Sequence, residues 1–252
     1  MQRFLCLIIF MCALPYQAFA DLSEDNASAA ALAGITSLSD SPSSLTLSPL
    51  VWGNGTVFGY HLPFGDSQSQ VWGFHTGSDV PLGHAGFGVN WLNHPHYQHR
   101  DYYVCYALGD ESLALGYTQH LVWEGFSTGE AYLGWQSDMA LGGSYNEYGA
   151  EFRWLRIGKG DAQIHISAIY QPYEHTKIAS AYVYQPRGRD SFRSACTVEV
   201  AKMMTILSSW QSEPSRFGIG IRLNPGAGNI TYAIRTHPEL ALSHFIEVGF
   251  SW

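Results

Sequence analysis

The chain has 252 residues, 46% of them hydrophobic, with only 13% charged and a high 14% aromatic. So few charges beside so many aromatics exclude disorder and coiled coils. The net charge of -8 excludes a nucleic-acid partner, because too little basic surface is present to release phosphate counterions.

The first twenty residues read as a secretory leader. Gln2-Arg3 gives a positive start, Phe4 to Leu14 is an apolar run, and Ala18-Phe19-Ala20 is a small-x-small cleavage site. Cleavage before Asp21 sends the chain out of the cytoplasm. Cys6 and Cys12 leave with the leader. Cys105 and Cys196 fall in strand-like runs on opposite faces, so they read as small apolar residues rather than a disulfide.

Residues 21–50 differ from all that follows. Asn26-Ala-Ser-Ala-Ala-Ala-Leu-Ala-Gly34 predicts a short helix, capped at Asp25 or Asn26 and ended at Gly34. Asp40-Ser-Pro-Ser-Ser44 reads as a turn. The region is expected to be a plug or lid.

From about Thr56 the pattern has period two. Phe217, Ile219, Ile221 and Leu223 alternate with Gly218, Gly220 and Arg222. Ile230, Tyr232 and Ile234 alternate with Thr231, Ala233 and Arg235, and His244, Ile246, Val248 and Phe250 with Phe245, Glu247 and Gly249. Upstream, Phe152 and Trp154 oppose Glu151 and Arg153. One face is apolar. The other carries Gly, Ala, Ser and Thr with scattered opposite charges, whereas a soluble sandwich would show Lys and Glu there. This pattern predicts an all-β fold, a single antiparallel transmembrane β-barrel over residues 51–252. Strands are expected near 56–62, 70–76, 85–92, 101–108, 112–122, 130–136, 147–157, 161–170, 177–185, 195–203, 205–211, 216–224, 229–236 and 243–252. That makes about 14 strands, or 12 if the run 195–211 is not a hairpin. Loops must be short. Trp52, Trp123, Trp210 and Trp252 suit interface girdles.

The lumen face would carry Glu151, Arg153, His165, Glu199, Arg222, Arg235 and Glu247, pairing across strands or holding the plug, with Asp40 reaching Arg222 or Arg235. Lumen glycines such as Gly86, Gly116, Gly218 and Gly220 would make room for plug backbone. His94-Pro-His96-Tyr-Gln-His99 is the densest histidine group, supplemented by His75 and His84. It reads as a polar hairpin turn, with a metal or pH-sensing loop as the sharper alternative. Gly125-Phe-Ser127-Thr-Gly129 matches the GxSxG expression, but strand-like sequence lies on both sides where a nucleophile elbow needs a helix to follow. Neither an enzyme nor a cofactor is expected. Phe250 and Trp252 end the chain on an aromatic strand, similar to the signal read by the barrel-assembly machinery of Gram-negative outer membranes.

Ala27 to Gly34, Ser37 to Ser44 and Ser48-Pro49-Leu50, with the C-terminal Tyr232 to His244 and Trp210 to Gly220, resemble the ends of FadL-like and PorV/PorQ-like outer-membrane barrels. Ser48 and Leu50 stand where that group has Asn and Ala. The resemblance implies fourteen strands, an N-terminal plug, outer-membrane lipid around the barrel, and one of two roles. These are passage of small hydrophobic compounds, or docking of secretion-system proteins as a non-transporting barrel.

Overall fold

In the computed structural model of the protein, the described residues are 26–159 and 161–252. The expected leader, its cleavage site and the alternative cap Asp25 lie outside them.

Period-two alternation builds fourteen antiparallel strands: β1 (Gly55–Leu62), β2 (Gln70–Val80), β3 (Gly83–His94), β4 (Tyr97–Asp110), β5 (Leu113–Phe126), β6 (Ala131–Tyr145), β7 (Tyr148–Leu155), β8 (Gln163–Tyr173), β9 (Thr176–Tyr184), β10 (Ser191–Ala201), β11 (Met204–Gln211), β12 (Arg216–Leu223), β13 (Gly228–Arg235) and β14 (Ser243–Ser251). Each pairs with its sequence neighbours, and β1 pairs with β14 from Gly55↔Ser251 to Leu62↔His244, closing the barrel. Closure removes every free sheet edge along the paired span, as a wall in lipid requires. The uncertain run 195–211 is a hairpin, with Ala201 opposite Met204.

The two predicted faces are the two sides of this wall. Phe217, Ile219, Ile221 and Leu223 are exposed on the outside, while Arg216 and Arg222 are buried inside. Cys105 and Cys196 are free, one facing in and the other out.

Several strands are longer than the sequence pattern indicates. β3 runs to His94 and β4 starts at Tyr97, so the histidine group is the expected hairpin turn, tightened to residues 95–96 with His94 and His99 on the strands. β10 starts at Ser191, four residues before the expected 195. The expectation stopped at polar residues, but the ladder continues through them because hydrogen bonding is backbone chemistry.

The two rims differ. At the rim where β1 begins and β14 ends, called here the chain-end rim, the turns are tight, as at 81–82, 111–112, 146–147 and 202–203. The opposite rim has the longer connections 63–69, 156–162 and 236–242. The wall is also uneven there: β6 has 15 residues, its neighbour β7 only 8.

Candidate functional site

Residues 26–54 lie inside the barrel. Helix α1 (Ala27–Ala31) is capped by Asn26, whose Oδ1 accepts from the Ala29 amide at 2.6 Å. It ends as expected near Gly34, where Ala33 and Gly34 take left-handed backbone (φ 51° and 70°). The expected turn after Asp40 is a 3-10 helix, Pro42–Thr46. The alanines let α1 lie flat on β12 and β13. A Cβ on Gly218 would sit 2.3 Å from the carbonyl oxygen of Ala30, and one on Gly220 would sit 2.9 Å from Ala31 Cβ. Gly116 faces Pro49 and Gly86 faces Leu45 with similar closeness.

Two groups of wall side chains hold this segment. The first sits under α1. Glu247 accepts from the Ala27 amide at 3.0 Å and the Ser28 hydroxyl at 3.3 Å. Arg222 donates to Ser28 Oγ at 2.9 Å and forms an ion pair with Asp40. The Arg222 guanidinium holds the Asp40 carboxyl below its ordinary range. Arg235 lies over the Phe245 ring at 5.3 Å, and Phe245 stacks on His61.

The second group takes backbone carbonyls that follow α1 and the 3-10 helix Pro42–Thr46. Arg153 donates to Gly34 O at 2.9 Å and Leu47 O at 3.2 Å, and Arg193 donates to Ala33 O at 2.7 Å. Glu151 accepts from the hydroxyls of Thr36 and Ser48. His165 touches Arg153 at 3.0 Å and Gln163 at 3.2 Å, and so supports the anchor from behind. Such charge-assisted bonds each contribute about 1.5–3 kcal/mol.

Glu199 lies on the lumen side but pairs with His175 at 3.2 Å on the chain-end rim, away from the inner segment. Arg193 was missed because the expected strand began after it; its alternation with Phe192 was the signal. The histidine group does not converge. His94 and His96 sit at the far rim with rings 5.5 Å apart, and His99 pairs with Glu124 at 3.4 Å. His75 and His84 lie inside, bonded to Tyr103 and Asp79. Among the described residues no group of three or more His, Cys, Asp or Glu side chains could hold a metal ion. His120 is clamped between Asp101 at 3.0 Å and Asp138 at 3.2 Å, tying β4, β5 and β6 together.

Trp52 corrects the girdle expectation. It packs against His84 inside the barrel at 5.6 Å, because it precedes β1 on the inner segment. Trp123 and Trp210 do face outward, and Arg100 covers Trp123 at 4.9 Å. Phe250 faces outward between Thr56 and Gly228, and Trp252 follows the last strand. Ser127 lies in the turn between β5 and β6, its amide bonded to His96 O at 3.1 Å. No helix follows it.

Beside the inner segment, a cavity of about 510 Å³ opens at the chain-end rim. Asp110, Glu111, Glu147, Glu174, Glu199 and Lys177 are among its lining residues.

No protein-family model matches the chain, and no curated protein matches it in sequence. Among solved structures, a mutant porin of Rhodopseudomonas blastica is similar at 7% identity, over 79% of this chain and 99% of that chain, with a TM-score of 0.49. KdgM porin is similar at 7% identity over the same shares, with a TM-score of 0.47. KdgM porin in complex with disordered oligogalacturonate gives 6% identity over the same shares and a TM-score of 0.46.

Proposed function

We propose that the chain is an outer-membrane channel closed at rest by its own N-terminal segment, residues 22–50. The carrying observation is how that segment is held. Its described residues, 26–50, form no strand of the wall, and Glu151, Arg153, Arg193, Arg222 and Glu247 anchor them through polar contacts. Leu32, Ile35 and Leu38 also pack in one apolar cluster with Leu207, Ala233 and Phe245 of the wall, so release of the segment has to break both kinds of contact while the closed wall stays paired. The apolar outer face supports a place in lipid, and the short turns support a periplasmic position for the rim where β1 begins and β14 ends, by the rule for such barrels. The leader-like start and the terminal Phe250 and Trp252 support export and assembly by the barrel-assembly machinery.

The geometry favours small polar solutes as cargo. All fourteen strands are paired around the wall, which argues against a lateral exit. The cavity beside the segment is lined by acids and bases together with Leu38, Leu50, Val51, Ile169 and Leu207. Passage of small hydrophobic compounds, implied by the FadL-like resemblance, would need an apolar path in place of this lining. The second reading, a non-transporting docking or structural barrel that serves secretion-system proteins, draws its support from the short turns. A ligand-capturing funnel usually needs long loops.

Deletion of residues 22–46 with the leader kept tests the reading. The expected result is a heat-modifiable barrel in the outer-membrane fraction with raised permeability to small sugars in proteoliposomes. Normal assembly with unchanged permeability overturns the channel reading. Failure to assemble favours the structural one.

A further inference from the structure

The strands keep charge off the outer face of the wall. Glu124, Asp138, Glu151, Arg153, Arg193 and Arg222 face inward, and so do the other Lys, Arg, Asp and Glu side chains within strands, with two exceptions among the described residues. Asp110 is the last residue of β4, at the turn on the chain-end rim. Arg100 is the other, near the opposite end of the same strand. It stands in an aromatic row. The pairing runs Tyr60↔Trp72↔Trp91↔Arg100↔Trp123 across β1 to β5, close to the rim of the longer connections. Aromatic rows of this kind flank the apolar band of a membrane barrel at the level of the lipid headgroups.

The row gives the guanidinium a platform. The Trp123 ring lies along β5 over Gly125: a Cβ there would meet it at 2.5 Å, so a glycine two places on lets the indole settle against the wall. Arg100 rests over that ring, 4.9 Å from its centre. Stacking uses the flat face of the guanidinium and leaves the N–H donors in its plane available. Among the described residues no ion pair or hydrogen bond engages this side chain. On the same outer face, Gln98 lies two places nearer the rim, opposite Asn93, and both are exposed. In the other direction the exposed Tyr102, Val104 and Phe87 continue the apolar surface down the wall. Polar donors, a stacked cation and an apolar track thus follow one another from the rim toward the middle of the barrel.

We propose that Arg100 on its Trp123 platform binds the phosphate of a phosphorylated glycolipid in the outer leaflet. This rests on the outer-membrane part of the reading above, and not on passage through the lumen. The order of groups matches such a lipid. The guanidinium fork fits phosphate oxygens. The amides of Gln98 and Asn93 suit the hydroxyls of a sugar headgroup, and Phe87, Tyr102 and Val104 suit its acyl chains. A cation at the lipid boundary with no protein counter-charge is costly unless an anion meets it there. A soluble anion would find the same fork but gain nothing from the apolar track below it.

Native mass spectrometry of the folded, full-length barrel in mild detergent, with diphosphoryl lipid A added, tests the site. Arg100→Gln should bind this lipid about tenfold more weakly than wild type, as loss of one charge-assisted hydrogen bond implies. Arg100→Lys should fall between the two, because it keeps the charge and loses the fork. Trp123→Leu should also weaken binding, by removing the platform. The dephosphorylated glycolipid should bind wild type and Arg100→Gln equally. Heat-modifiable mobility shows that each variant is folded. Equal binding of the phosphorylated lipid by folded wild type and Arg100→Gln overturns the proposal. So does an equal loss with the dephosphorylated lipid, or displacement of the lipid by inorganic phosphate, which would make this a site for soluble anions. Arg100 lies outside the lumen, so Arg100→Gln should leave the permeability of the barrel lacking residues 22–46 unchanged. Failure of the lipid site and failure of the channel reading are therefore read separately.

Discussion

Arg222, on the inner face of β12, is ion-paired to Asp40 of the inner segment, 182 positions away in sequence. The same guanidinium bonds Ser28, so one side chain joins the start of α1 to the turn that precedes the 3-10 helix Pro42–Thr46. Wall and segment are therefore coupled at a point where loss of one charge is felt at both ends of the segment.

That coupling gives a pH prediction. Asp40 titrates below its ordinary value of 3.8 because Arg222 stabilises the carboxylate. A depressed folded value means the ion pair is intact at neutral pH and is lost as pH falls through the lowered value. Asp40 faces the open cavity, so its share is about 1 kcal/mol or less. Permeability of the wild type should stay flat down to about pH 4 and rise below it. In Asp40→Asn the Asp40-dependent rise should be missing. An equal rise in both proteins would assign the acid response to another group.

Arg222→Ala should act more strongly than Asp40→Asn. It removes the bonds to Ser28 and Thr231 and leaves Glu247 buried without its neighbouring cation. Each charge-assisted hydrogen bond lost costs about 1.5–3 kcal/mol. The expected outcome is a barrel that still shows heat-modifiable mobility, with raised single-channel conductance in planar bilayers. Wild-type conductance would show that Arg222 does not hold the segment closed.

The two faces of β12 should respond differently. Ile219→Arg puts a charge in lipid and should lower barrel stability by about 2–4 kcal/mol in urea unfolding. Gly218→Ala should leave the wall intact but push on the carbonyl of Ala30, so its effect should be on permeability. Similar unfolding costs at both positions would mean that the faces are exchanged, as a one-residue slip would do.

His120→Leu should destabilise the taller wall. It leaves Asp101 and Asp138 on either side of β5 without the imidazole that bridges them. A loss of about 3–5 kcal/mol is expected, read as a lower temperature for the shift in gel mobility. An unchanged transition would show that the two carboxylates find other partners.

Much of this arrangement was legible in the chain itself. Alternation such as Phe217-Gly-Ile-Gly-Ile-Arg222 fixes which side chain faces outward and which faces inward, because neighbouring residues of a strand point to opposite sides whatever they pair with. The strand number, the short turns, the helix ended at Gly34 and the lumen positions of Glu151, Arg153, Arg222 and Glu247 follow from such local rules. What the tertiary structure alone decided is which of these residues meet. Asp40 had two candidate arginines, and the seating of α1 on β12 and β13 selects Arg222. Arg193 becomes an anchor only because β10 begins at Ser191 and the turn after α1 brings the Ala33 carbonyl beside it. Trp52 points inside because it precedes the first strand, and His75 and His84 part from His94 because β3 is longer than its apolar run. The step in height from β6 to β7 is likewise invisible in sequence, since it depends on where β7 stops. Strand alternation is set by each residue and its neighbours, but register, wall height and the seating of the inner segment are set by closing fourteen strands on one another. That closure is a property of the whole chain.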